Sequence, residues 1–92
     1  MPELSRFYGI VIYMYRELGG RHHYPHLHAE SSGLKAVFHI ETAMLLEGTF
    51  PNKERRLVEA WIEIHKTELL ANWQNLNLSS GAPGFTKIAP LA

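Results

Sequence analysis

The sequence predicts an α+β fold, in which a three- or four-stranded, mostly antiparallel sheet packs against one long C-terminal helix. Runs rich in β-branched and aromatic residues, separated by turns that contain glycine, fill the first half of the chain. From Pro51 onward, large apolar residues instead recur every three or four positions, as in an amphipathic helix. The 92 residues, 46% of them hydrophobic, can build one core. We therefore expect a single domain over residues 1–78 and a Gly/Pro/Ser-rich tail over 79–92.

The predicted strands follow one another along the first half of the chain. Residues 7–15 predict a long central strand, with Gly9 as a bulge. A second strand is expected from His26, and a turn at Ser32–Gly33 should close a hairpin between it and a third strand. A short fourth strand is expected to end at Gly48.

Composition excludes several classes of function. Nine basic and nine acidic residues cancel, so the chain as a whole exerts no strong pull on nucleic acid or anionic membranes. No cysteine is present, which excludes disulfides and thiolate metal sites. The sequence has no apolar run near the roughly 20 residues needed to span a bilayer, and no secretory signal pattern. We expect a cytoplasmic protein with no membrane partner and, in the absence of a phosphate-binding loop, no cofactor.

The stretch HHYPHLHAE, residues 22–30, holds four of the six histidines. A two-residue hairpin loop would pair opposite charges and match apolar residues across the strands, with the pairs His26–His39, His28–Val37 and Glu30–Lys35. Because side chains alternate along a strand, the polar ones should share the face turned away from the helix. That face would carry His26, His28, Glu30, Lys35, His39 and Glu41, and the helix would cover Leu27, Ala29, Ala36, Phe38 and Ile40.

Three interpretations of this histidine face remain open. His26, His28, Glu30 and Lys35 would form an exposed surface that binds a protein partner. Alternatively, His26 and His28 would act as general acid and base of a metal-independent ribonuclease, a chemistry that needs two imidazoles near neutral pH. In the third, His26, His28 and His39 would bind a transition metal through imidazole nitrogens. The spacing permits all three and demands none.

The predicted helix also carries ring side chains on its apolar stripe. Trp61 and Trp73 are expected to be core anchors. His65 lies on the same stripe and is expected to be a core or rim histidine bonded to the backbone, rather than a catalytic residue.

Several segments together resemble the small bacterial domain-of-unknown-function family 4160. They are MPELSRFYGIVIYMY, YPHLHAE, IETAMLLEGTFP, WIEIHKTELLANW and KIAPL, in the family's order along nearly the whole chain. Tyr24 to Ala29 match the family's Pro-Pro-His-Phe-His-Ala apart from two substitutions, whereas many members carry Asp at the position of His39.

The resemblance also implies a function. Members are often encoded beside another small domain, and such pairs have been suspected of being toxin–antitoxin modules. The implied protein is one half of such a pair, with a small protein partner encoded nearby. RNA is the second candidate partner, and both catalysis and oligomeric state remain open.

Overall fold

The computed structural model describes residues 3–14, 24–76 and 87–91. Within these ranges the chain forms five strands and then one helix: β1 (Glu3–Phe7), β2 (Ile10–Tyr13), β3 (His26–Ser31), β4 (Leu34–His39), β5 (Leu45–Gly48) and α1 (Asn52–Leu76). The sheet order is β1-β2-β3-β4-β5, and every neighbouring pair is antiparallel. The α+β fold is confirmed, with five strands rather than the three or four predicted.

The predicted long first strand is in fact a hairpin. Phe7 pairs with Ile10, and the turn between them consists of Tyr8 and Gly9, whose φ angles are 50° and 76°. Positive φ at both central residues is the requirement of a type I′ turn. The prediction of one central strand was therefore wrong, because β1 lies at an edge of the sheet and Gly9 belongs to a turn instead of a bulge. Tyr15 lies outside the described residues.

The β3–β4 hairpin has the predicted register. His26 pairs with His39 and Glu30 with Lys35, and the loop is Ser32–Gly33, with φ angles of 50° and 81°. The predicted strand ending at Gly48 is also confirmed, as β5.

The core lies between α1 and one side of the sheet. The side chains that fill it from the helix are Val58, Trp61, Ile62 and Leu69, and those from the sheet include Leu4, Ile10, Ile12, Leu27, Ala29, Ala36 and Phe38. The indole Nε1 of Trp61 donates to the carbonyl of Ala89 (2.9 Å), and the Ile88 amide donates to the carbonyl of Leu4 (3.0 Å). Segment 87–91 is thereby held on the body of the domain, while residues 79–86 and 92 of the predicted tail lie outside the described residues.

The helix is irregular at one position, His65, where φ is −109° and ψ is 21°. The His65 ring lies 5.4 Å from the ring of Trp61, as expected for a rim residue. Its Nδ1 is 2.6 Å from a carboxylate oxygen of Glu68, so the ring is bonded to a side chain rather than to the backbone. In the described ranges, no helix combines the length and the apolar character that crossing a membrane requires.

Candidate functional site

The side of the sheet turned away from α1, the outer face, carries a row of aligned side chains. Tyr13 of β2, His28 of β3, Val37 of β4 and Glu47 of β5 are successive cross-strand partners. Their chain neighbours Ile12, Ala29 and Phe38 are in the core, so strand alternation directs the row to the opposite side. One row further along the strands, Glu30 is paired with Lys35.

These side chains enclose a depression of about 250 Å³, which we term the outer cleft. Its lining includes the side chains Tyr13, His28, Glu30, Lys35, Val37 and Glu47. Val37 is buried although it is not part of the core cluster, so its neighbours on the outer face cover it. The cleft therefore combines an apolar centre with carboxylate and ammonium groups around it. Ligand pockets for drug-sized molecules are usually about 300–1,000 Å³, so this cleft suits one or two side chains of a larger partner.

His26 does not lie exposed on this face as predicted. Its ring is 1% exposed and packs 4.9 Å from the ring of Trp73 and 5.4 Å from that of His28. The 25 residues of α1 span about 37 Å, whereas the six residues of β3 span about 20 Å. The helix must therefore extend past the strand, and the contact with Trp73 places its C-terminal turns over the start of β3. The prediction of an exposed His26 ring was wrong for this reason.

The hydrogen bonding of His26 fixes its tautomer. Nδ1 lies 3.0 Å from the carbonyl oxygen of Tyr24. Because a carbonyl only accepts, Nδ1 carries the hydrogen, and the lone pair of the neutral ring is on Nε2. His26 thus fixes the backbone at Tyr24, just before β3 begins, and its ring packs against that of His28.

His39 has a different role, in the turn that follows β4. Its Nδ1 accepts hydrogen bonds from the backbone amides of Glu41 (3.1 Å) and Thr42 (3.4 Å), and its ring stacks on Tyr24 at 4.9 Å with an interplanar angle of 13°. Side chains of Asp and Asn form the same kind of turn by accepting from the amide two residues on. In the neutral ring, an accepting Nδ1 leaves the hydrogen on Nε2, so neither nitrogen offers a lone pair to a metal.

The described residues contain no group of three or more His, Asp or Glu side chains that could hold a metal ion. The predicted metal set of His26, His28 and His39 therefore gains no support from the arrangement.

A model for a family described as "Domain of unknown function (DUF4160)" matches residues 9–74, which is more than half of the chain. The chain belongs to the DUF4160 family. No match was found among curated proteins, nor among solved structures.

The histidines of this motif in the DUF4160 chain thus have different surroundings. Half-buried His28 lies with Glu30 and Lys35 on the outer face, the face predicted for these three, whereas the imidazoles of His26 and His39 are hydrogen-bonded to backbone groups. Tyr13 and Glu47 complete the cleft and were not predicted as site residues. Buried Ile10 and Ile12 alternate with half-buried Val11 and Tyr13 in the structure, but all four residues are apolar or aromatic, so the sequence carries no signal that places Tyr13 on the outer face.

Proposed function

We propose that this DUF4160 chain is a small cytoplasmic interaction protein, one half of a toxin–antitoxin-like pair, that binds its protein partner through the outer cleft. The observation that carries the proposal is the cleft itself, built by side chains of four adjacent strands on the side of the sheet opposite α1. His28, Glu30 and Lys35 are polar residues of its lining, around Val37. Val37 and the ring of Tyr13 give it an apolar surface.

The chemistry of the outer cleft favours a protein over RNA or a small metabolite. Protein interfaces have an apolar centre and a polar rim, and this is how Val37 and the surrounding charged groups are arranged. Glu30 and Glu47 bring two carboxylates against the one ammonium group of Lys35. This excess of negative charge disfavours contact with a phosphate backbone, since nucleic-acid binding depends on an excess of basic groups.

The direct test is co-expression with the protein encoded by the neighbouring gene, followed by calorimetric titration of the purified components. His28→Ala and Lys35→Glu should each raise the dissociation constant about tenfold, because the first removes a contact beside the apolar centre and the second reverses a charge in the polar rim, at about 1.4 kcal/mol each. The matched control is Thr67→Ala, which alters an exposed helix residue away from the cleft. His26 is unsuitable for this test because its ring is buried and its loss would disturb the entry to β3. Equal affinities for the wild type and the His28→Ala/Lys35→Glu double variant would reject this surface.

The ribonuclease alternative has one favourable observation. The rings of His26 and His28 lie 5.4 Å apart, and the bond from His26 Nδ1 to Tyr24 leaves Nε2 as a proton acceptor. Against it stands the burial of the His26 ring, which denies RNA a path to that nitrogen. Expression of the chain without its partner, with growth and cellular RNA followed over time, separates the two functions. RNA that stays intact at high expression rejects the ribonuclease, whereas RNA cleavage abolished by His28→Ala supports it.

A further inference from the structure

A second surface lies between α1 and the turn that leads into β5, and we term it the β5–α1 patch. Met44 (62% exposed) lies in this turn, Leu46 (36%) lies two residues further on, in β5, and Ile64 (65%) is an exposed apolar residue of α1. Leu46 is the extra residue of a bulge, since Leu45 pairs with Phe38 and Glu47 with Val37. Exposed large apolar side chains beside a groove are typical of a contact region.

A groove of about 500 Å³ lies between α1 and the turn at residues 42–44, and Met44 is part of its lining. Ala43 and Ala60 give it small side chains, and Arg56, Glu59 and Glu63 bring both signs of charge to it. Glu59 and Glu63 form ion pairs within the helix, with Arg55 and Lys66. In the described part of the chain, no ion pair involves Arg56.

The two edges of the sheet differ in how they are covered. At β1, the Ile88 amide bonds to the Leu4 carbonyl, so segment 87–91 lies along that edge. Beyond β5 no further strand is present among the described residues. An open edge flanked by exposed apolar side chains is a surface on which another chain can pair.

We infer that this β5–α1 patch is a two-fold symmetric interface between two copies of the chain. A two-fold interface brings the same patch from both copies together, so the patch must be complementary to itself. Here Met44 protrudes at one side of the groove, while the small side chain of Ala60 on the other side leaves room for an apolar side chain of the second copy. The charges are self-complementary as well, since a two-fold axis close to Ala60 brings Arg56 of each copy opposite Glu63 of the other.

The spacing along α1 supports this arrangement. Arg56 and Glu63 are two helical turns apart, about 10 Å, and Ala60 lies between them on the same side of the helix. The small side chain of Ala60 permits close approach at the centre of the interface. The groove and the outer cleft have no lining residue in common, so the dimer and the binding of a different protein partner would use different residues.

The test is the molar mass of the full chain, measured by light scattering and sedimentation velocity over a range of concentrations. The wild type should have twice the 10.5 kDa mass of one copy. Arg56→Glu and Glu63→Arg each place like charges opposite one another at two symmetric positions, and each should weaken the dimer at least tenfold. Met44→Lys, which places a charge in the groove, should act in the same direction.

Mixing the two charge variants makes the test specific for this symmetry. In a heterodimer of Arg56→Glu with Glu63→Arg, both contacts regain opposite charges, so the 1:1 mixture and the doubly substituted chain should each dimerise again. Arg6→Glu on β1, at the other edge of the sheet, is the control and should leave the dimer intact. A wild type that stays monomeric, or two single variants that do not rescue each other when mixed, would overturn the inference. Circular dichroism of each variant confirms that the chains compared are folded.

Discussion

Substitution of His39 tests whether its imidazole stabilises the turn after β4 by accepting backbone hydrogen bonds, as an aspartate side chain does in such turns. Its Nδ1 accepts two backbone hydrogen bonds, at 3.1 and 3.4 Å, and its ring stacks on that of Tyr24. A net hydrogen bond contributes about 0.5–1.5 kcal/mol, and the exposed amides of Glu41 and Thr42 can rehydrate, so the two together contribute about 1 kcal/mol. The stacked pair adds roughly 0.5–1 kcal/mol. His39→Ala should therefore lower the free energy of unfolding by about 1.5–2 kcal/mol.

His39→Asp separates the two contributions. A carboxylate restores the bonds to both amides but not the ring stack, so the loss should be only about 0.5–1 kcal/mol. For a domain of this size, about 4–8 °C of Tm corresponds to 1 kcal/mol, so His39→Ala should fall by roughly 6–16 °C and His39→Asp by about half of that. Urea unfolding and thermal scans at mildly alkaline pH, where a free imidazole is neutral, supply both numbers.

A spectroscopic measurement checks the same point without a substitution. Nitrogen-15 spectra of the His39 ring should report a bare Nδ1 and a protonated Nε2 in the neutral form. Equal destabilisation by His39→Ala and His39→Asp, or a ring with hydrogen on Nδ1, would refute the assigned role of the side chain.

Two further predictions concern glycines at positive φ and the bond from Trp61 to segment 87–91. Gly48→Ala should lower the free energy of unfolding by at least about 2–3 kcal/mol, because its φ is +87° and the new Cβ would lie 2.2 Å from a backbone oxygen of β4. Gly33→Ala should lower it by only about 1 kcal/mol, because its φ is similar, at +81°, but the space around it is open. Chemical denaturation of the two variants compares them, and equal losses would contradict the steric argument. Trp61→Phe removes the indole bond to the Ala89 carbonyl and also leaves a cavity in the core, so amide exchange should rise throughout the domain, and that of the Ile88 amide should rise roughly tenfold more than that of the α1 amides. An equal rise at the Ile88 amide and in α1 would show that the indole does not hold segment 87–91.

The two type I′ hairpins show what a sequence pattern can and cannot locate. The loop at Ser32–Gly33 was predictable because it separates two runs whose residues match, and a two-residue loop then fixes every pair up to His26 and His39. The loop at Tyr8–Gly9 has the same backbone signs but lies within an unbroken β-rich run. Gly9 is the one local signal, but tyrosine at positive φ is uncommon, so the Tyr-Gly pair indicates a bulge within a strand as readily as a turn.

The candidate site was predictable where strand alternation decides it and not where distant parts of the chain meet. Alternation within the hairpin places His28, Glu30 and Lys35 on the outer face. Alternation predicts the face of the sheet on which a side chain lies, but not whether another part of the chain covers that side chain. His26 is covered by Trp73, which lies near the C-terminal end of α1. Glu47 joins the cleft only through the β4–β5 register, which includes a bulge that strand periodicity does not reveal.

The order of strands in this sheet has a consequence for how quickly the chain reaches its native state. Each strand pairs with the next strand along the chain, and the β1–β2 and β3–β4 hairpins close through two-residue turns, so each of these pairs can form with a small loss of loop entropy. The long-range steps are the docking of α1 and the bond between Ile88 and Leu4, which joins the two ends of the described chain. We expect the β3–β4 hairpin to form early and the hydrogen bond between Ile88 and Leu4 to form late. During refolding, the Ile88 amide should therefore become protected from hydrogen exchange later than the amides of the sheet.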